Sequence, residues 1–161
     1  MDTFERKLLS LEVLRAIAQT PAPVSLEDAV KFGDARLVQL LIINDVDNVS
    51  IDTFYIACNL GQTEIVRLIL DLPQGKSFDM DDAFQNACYD GHTDIVRLLL
   101  DLPLERGLNL AAIDNAALRD ACACGHTDIV RMLLDLPLER GVNPAALNNR
   151  SLRNACFSGH T

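Results

Sequence analysis

The chain has 161 residues, of which 49% are hydrophobic and 23% charged, the balance of a globular protein large enough to bury a core. Aromatic residues make up 5% and tryptophan is absent, so that core must be built from Leu, Ile, Val and Ala. The formal net charge of −9 argues against nucleic acid and anionic membrane surfaces as main partners, because both repel an acidic chain.

The first element in chain order is a stripe of Phe4, Leu8, Leu11, Leu14 and Ile17, closed by Pro21 and Pro23. We expect an N-terminal capping helix over residues 1–20, since the end of a stack must turn a polar face to water. A helix that tethers a partner in a groove is the alternative. Acids at Asp2 and Glu5 precede any apolar stretch, which argues against a signal peptide. No apolar run approaches the roughly 20 residues that span a bilayer. Five cysteines, an odd number without an export signal, read as reduced thiols in a cytoplasmic protein.

From there on the chain repeats itself. Gly91-His92-Thr93-Asp94-Ile95-Val96-Arg97-Leu98-Leu99-Leu100-Asp101-Leu102-Pro103 returns almost unchanged from Gly125 to Pro137, and in altered form from Gly61 to Pro73. Gly159-His160-Thr161 opens another copy, and a weaker one surrounds Gly33. Before each glycine an apolar triplet recurs: Leu26/Ala29/Val30, Phe54/Ala57/Cys58, Phe84/Ala87/Cys88, Leu118/Ala121/Cys122 and Leu152/Ala155/Cys156. The i, i+3, i+4 spacing puts each triplet on one face of a short helix, and the small Ala admits a close neighbour. After each glycine a second helix starts that is apolar on most sides and therefore sandwiched. Its polar residues are expected to pair locally, Glu64 with Arg67, Asp94 with Arg97 and Asp128 with Arg131. Pro73, Pro103 and Pro137 should stop these helices. A single helix pair cannot bury its apolar faces, but stacked pairs can. The predicted fold is all-α, a helix-turn-helix solenoid.

This pattern of a Leu-x-x-Ala-Cys helix, a Gly-His turn, an Ile-Val-Arg-Leu-Leu-Leu helix and a loop resembles the ankyrin repeat. The likeness spans roughly residues 24 to 161. It implies about four full repeats plus a truncated fifth, with units near 24–50, 51–80, 81–114, 115–148 and 149–161 in an ankyrin domain over 21–161. The family's Thr-Pro is absent, with Asp52-Thr53, Asp82-Ala83, Ala116-Ala117 and Arg150-Ser151 in its place. The histidine of that motif is replaced by Tyr55, Gln85, Arg119 and Arg153. Leu-Pro-Leu-Glu-Arg-Gly stands where the family has its hairpin finger, so longer and less regular loops are expected.

Cys58, Cys88, Cys122 and Cys156 hold one place in successive repeats, and helices packed roughly 8–10 Å apart cannot bring two such thiols to one zinc ion. Cys122, Cys124 and His126 are closely spaced, but residues i and i+2 of a helix point apart. His92, His126 and His160 recur in the turns, where an imidazole can bond backbone groups left over at helix ends. Gly75-Lys76-Ser77 lacks the upstream glycine of a phosphate loop, because Leu70 stands there. No catalytic residue, metal ligand or cofactor is expected, and the chain does not read as an enzyme.

The resemblance implies a scaffold that binds a protein partner on the concave face of the array. The alternative is a targeting or substrate-recruiting module of a longer enzyme or host-directed effector. Specificity is expected where the copies differ, just before each turn glycine: Asn59/Leu60, Tyr89/Asp90, Ala123/Cys124 and Phe157/Ser158, with Tyr55 on the same helix face. A monomer is expected. The fifth unit stops after Thr161, before the helix that should cover Leu152, Ala155 and Cys156, so the sequence reads as a fragment with a capacity to self-associate through that uncapped end.

Overall fold

The computed structural model describes residues 25–44, 49–73, 75, 78–103, 108 and 116–137. Eight helices lie among them, and no strand: α1 (Leu26–Phe32), α2 (Ala35–Asn44), α3 (Ile51–Asn59), α4 (Thr63–Leu70), α5 (Asp81–Asp90), α6 (Thr93–Leu100), α7 (Ala116–Cys124) and α8 (Thr127–Leu134). They form four antiparallel pairs. The first helices α1, α3, α5 and α7 pack side by side in one layer, and α2, α4, α6 and α8 form the other. The expected N-terminal cap and the fifth unit lie outside the described residues.

The triplet pattern accounts for the core. Ala29, Ala57, Ala87 and Ala121 are all buried, as are Leu26, Phe54, Phe84 and Leu118 one turn earlier and Val30, Cys58, Cys88 and Cys122 beside them. A methyl side chain at the alanine place lets neighbouring first helices approach. The second helices contribute Ile65, Val66, Ile69 and Leu70 in α4 and the matching Ile95, Val96, Leu99 and Leu100 in α6. Each such aliphatic side chain is worth about 1.5–3 kcal/mol on burial. The connection into α5 adds to this core. Met80 is buried, and the Phe78 ring lies 5.6 Å from that of Phe54.

Helix ends follow local chemistry. Ser25 and Ser50 cap α1 and α3, each hydroxyl accepting a backbone N–H three residues on. The second helices end at Leu70, Leu100 and Leu134, three residues ahead of Pro73, Pro103 and Pro137. The prolines therefore do not terminate them directly. They stand beyond the last turn, where proline prevents the helix from continuing. Of the expected i, i+3 ion pairs, Asp94–Arg97 and Asp128–Arg131 form at 4.0 and 3.7 Å, both exposed. Glu64 and Arg67 do not come within that distance. Such exposed pairs add little stability.

Candidate interaction surface and the turns that position it

Each first helix ends in a turn of fixed geometry. In the third pair, Gly91 adopts the left-handed conformation at φ 82°, and the N–H of His92 donates to the carbonyl of Ala87 at 2.9 Å. This is the six-to-one bond that closes a helix on a left-handed glycine. It recurs as Gln62 to Ala57 at 3.0 Å and as His126 to Ala121 at 2.9 Å. The second helix then starts two residues after the glycine, at Thr63, Thr93 or Thr127.

The turn histidines bond backbone at a helix end, as expected, but the helix belongs to the preceding repeat. The side chains of His92 and His126 do not cap their own helices. The Nε2 of His92 lies 3.0 Å from the carbonyl oxygen of Asn59, and that of His126 lies 2.8 Å from the carbonyl of Tyr89. With the proton on Nε2, each ring donates to an acceptor that the end of the helix leaves free. The same rings press on the preceding glycine. A Cβ on Gly61 would stand 2.8 Å from the His92 ring, and one on Gly91 would stand 2.5 Å from His126. Glycine is thus required twice over in these turns, for its left-handed backbone and for the space the next histidine occupies. In the second pair Gln62 replaces the histidine; it lies against Gly33, and its buried Oε1 has no hydrogen-bond partner.

The residues expected to make contact divide into three groups. Leu60 and Tyr89 are half exposed or more, at 50% and 57%, and Asn59 and Asp90 are exposed beside them. Ala123 and Cys124 are half-buried. Tyr55 is also half-buried and anchored, its hydroxyl donating to the carbonyl of Asp79 at 3.3 Å and its ring 5.9 Å from that of Phe54. Phe157 and Ser158 lie outside the described residues. Sequence reasoning missed Phe32, which is 80% exposed at the place Leu60 holds in the next pair. Counting back one residue from Gly33 would have found it. Polar bonds run along the layer: Asn86 donates to the side chain of Asn59 at 3.5 Å, and Gln85 donates to Asp120 at 3.0 Å.

Three of the described thiols belong to the interior. Cys58, Cys88 and Cys122 are buried free thiols, and Cys124 is partly exposed. Burial pushes Cys58 and Cys88 up to about 12. A thiol that stays protonated while its unfolded counterpart ionises lowers stability as pH rises from about 8.5 toward 12, because the native state then binds more protons. At pH 8, site-resolved alkylation of the native protein is expected to label Cys124 well before Cys58 or Cys88. Equal rates at all three would contradict the packing. Among the described residues, no three His, Cys, Asp or Glu side chains gather as a metal site. Gly75 is buried against the backbone of Ile69, so its place has a packing reason.

Stacked helix pairs with buried, near-identical interiors and varied residues at the turn edge define a repeat solenoid. A family model of ankyrin repeats (three copies) matches residues 26–102 and again 54–148. The chain belongs to the ankyrin-repeat family, whose repeats are generally protein–protein interaction modules and typically not catalytic. No curated protein matches it. No helix among the described residues is long and apolar enough to cross a membrane.

Proposed function

We propose that this chain is an interaction scaffold that holds a protein partner on the concave, first-helix side of its stack. One observation carries the reading. One helical turn before the place that precedes each turn glycine, the residue is constant and buried, as Ala29, Ala57 and Ala87. At the two places before the glycine the copies diverge, to Lys31/Phe32, Asn59/Leu60 and Tyr89/Asp90, and all six residues are exposed. Strictness inside and variety outside is the pattern of a surface that can be specialised without disturbing its support. Ala123, Cys124, Phe157 and Ser158 continue the same row in sequence, and Tyr55 contributes from its anchored position.

The partner is a protein, bound by a monomeric scaffold in the cytoplasm, with no catalytic, metal or cofactor role assigned to any residue. Aromatic side chains dominate binding energy when a partner desolvates them, and a covered leucine adds its apolar area. A photo-crosslinker at Leu60 should capture the partner. Tyr89→Ala and Leu60→Ala should then each weaken its binding about tenfold or more, roughly 1.4–2 kcal/mol. Neither change should move the melting temperature. Unchanged affinity in both variants would place the contact elsewhere.

A further inference from the structure

Charge is divided unevenly between the two layers. In the second-helix layer Asp94 and Asp128 are matched by Arg97 and Arg131, and Glu64 and Arg67 both stand on α4, while Asp71, Asp101 and Asp135 are exposed at the helix ends. The first-helix layer is different. Glu27, Asp28, Asp52, Asp82 and Asp90 all reach solvent. The exposed base among the described residues of that layer is Lys31, and Glu27 holds it at 2.7 Å. Arg119 is turned onto Asp120 at 3.1 Å, and Asp120 also receives Gln85. The layer's cations are thus engaged internally. Asp52 and Asp82, which share one place in successive repeats, project a row of negative charge.

The same layer exposes Phe32, Leu60 and Tyr89 near the turn edge. Exposed apolar side chains and exposed acids of one sign are both complemented by one kind of occupant. We infer that the first-helix face of α1, α3 and α5 docks a protein segment in which Lys or Arg alternates with apolar residues, the cations meeting Asp52 and Asp82 and the apolar residues covering Leu60, Tyr89 and Phe32. This rests on the scaffold reading above and adds the chemistry of the partner.

The test uses the full chain and a fluorescent sixteen-residue peptide in which Lys and Arg alternate with Leu and Phe. Two counterparts serve as controls, one with Glu for each base and one with Ser for each apolar residue. The basic, apolar peptide is expected to bind, and to bind on the order of tenfold more weakly when salt rises from about 0.05 M to 0.3 M. The double change Asp52→Lys with Asp82→Lys should weaken it about tenfold, and Asp52→Asn with Asp82→Asn, which nearly keeps the shape, should weaken it several-fold. Asp94→Lys with Asp128→Lys alters net charge equally in the other layer and should change affinity less than about twofold. Thermal melts of every variant establish that the fold is kept. Equal loss from the second-layer pair would mean diffuse charge attraction and overturn the inference, as would equal binding of the Glu or Ser peptide. If a captured partner needs Leu60 and Tyr89 but ignores the charge of Asp52 and Asp82, this inference fails and the scaffold reading stands. If it needs none of the four, the scaffold reading fails first.

Discussion

Ala87→Asp is expected to unfold the middle of the stack. Ala87 is buried where α5 lies against its neighbours α3 and α7, and the structure leaves no solvent for a carboxylate there. The substitution forces two first helices apart and buries a charge without a partner. Either effect alone costs a few kcal/mol, and together about 4 kcal/mol or more. For a chain of this size that lowers the melting temperature by on the order of 10 °C, or abolishes a cooperative transition. Glu64→Ala, an exposed change one repeat earlier, should stay within about 0.5 kcal/mol of the parent. Comparable melting curves for the two variants would be incompatible with close packing at the alanine row.

The second large effect is at Gly91. An alanine there meets a left-handed backbone that costs a non-glycine residue about 1–2 kcal/mol. It also meets the ring of His126, 2.5 Å from where its Cβ would sit. The ring must swing away and lose its bond to the Tyr89 carbonyl, worth about 1 kcal/mol more. Gly91→Ala should therefore destabilise by about 2–3 kcal/mol. In a His126→Ala background the collision is gone, and the same change should cost only its backbone share. A double-mutant cycle reads the difference as a coupling of about 1 kcal/mol. Strict additivity would show that the ring and the glycine do not share the space.

Much of this architecture was legible in the sequence because helix periodicity and repetition speak with one voice. Leu26, Phe54, Phe84 and Leu118 fall on the buried face that their i, i+3, i+4 spacing demands, and Thr63, Thr93 and Thr127 open the second helices in register. The histidines were harder. Their recurrence marked them as structural, but a ring that reaches back thirty-odd positions to the previous turn leaves no local trace in the chain. Phe32 escaped notice because its copy is the most divergent, and divergence hides register as well as producing surface. The prolines misled for a simpler reason. A proline disfavours helix in the residue before it without fixing the residue at which the helix stops, and here two residues intervene. Contact with a partner follows from no periodicity at all, so the proposed binding row is legible only as the place where repetition fails.

The histidine that leans on the previous repeat gives the stack a direction. His92 braces the turn at Gly61, and His126 braces the turn at Gly91, but among the described residues no turn braces the one that follows it. Removing a helix pair therefore has unequal consequences on its two sides. The pair before it loses the ring that covers its glycine and the donor that satisfies its last free carbonyl. The pair after it keeps its own turn intact and merely carries an idle imidazole. In a linear array whose stability is a sum of neighbour terms, each such bond is one term of the interface between a pair and its predecessor. The interface between the first and second described pairs lacks that term, because Gln62 stands at the histidine's place and its Oε1 has no hydrogen-bond partner. Among the described pairs, the first is thus joined to its successor by one histidine bond fewer than the later ones.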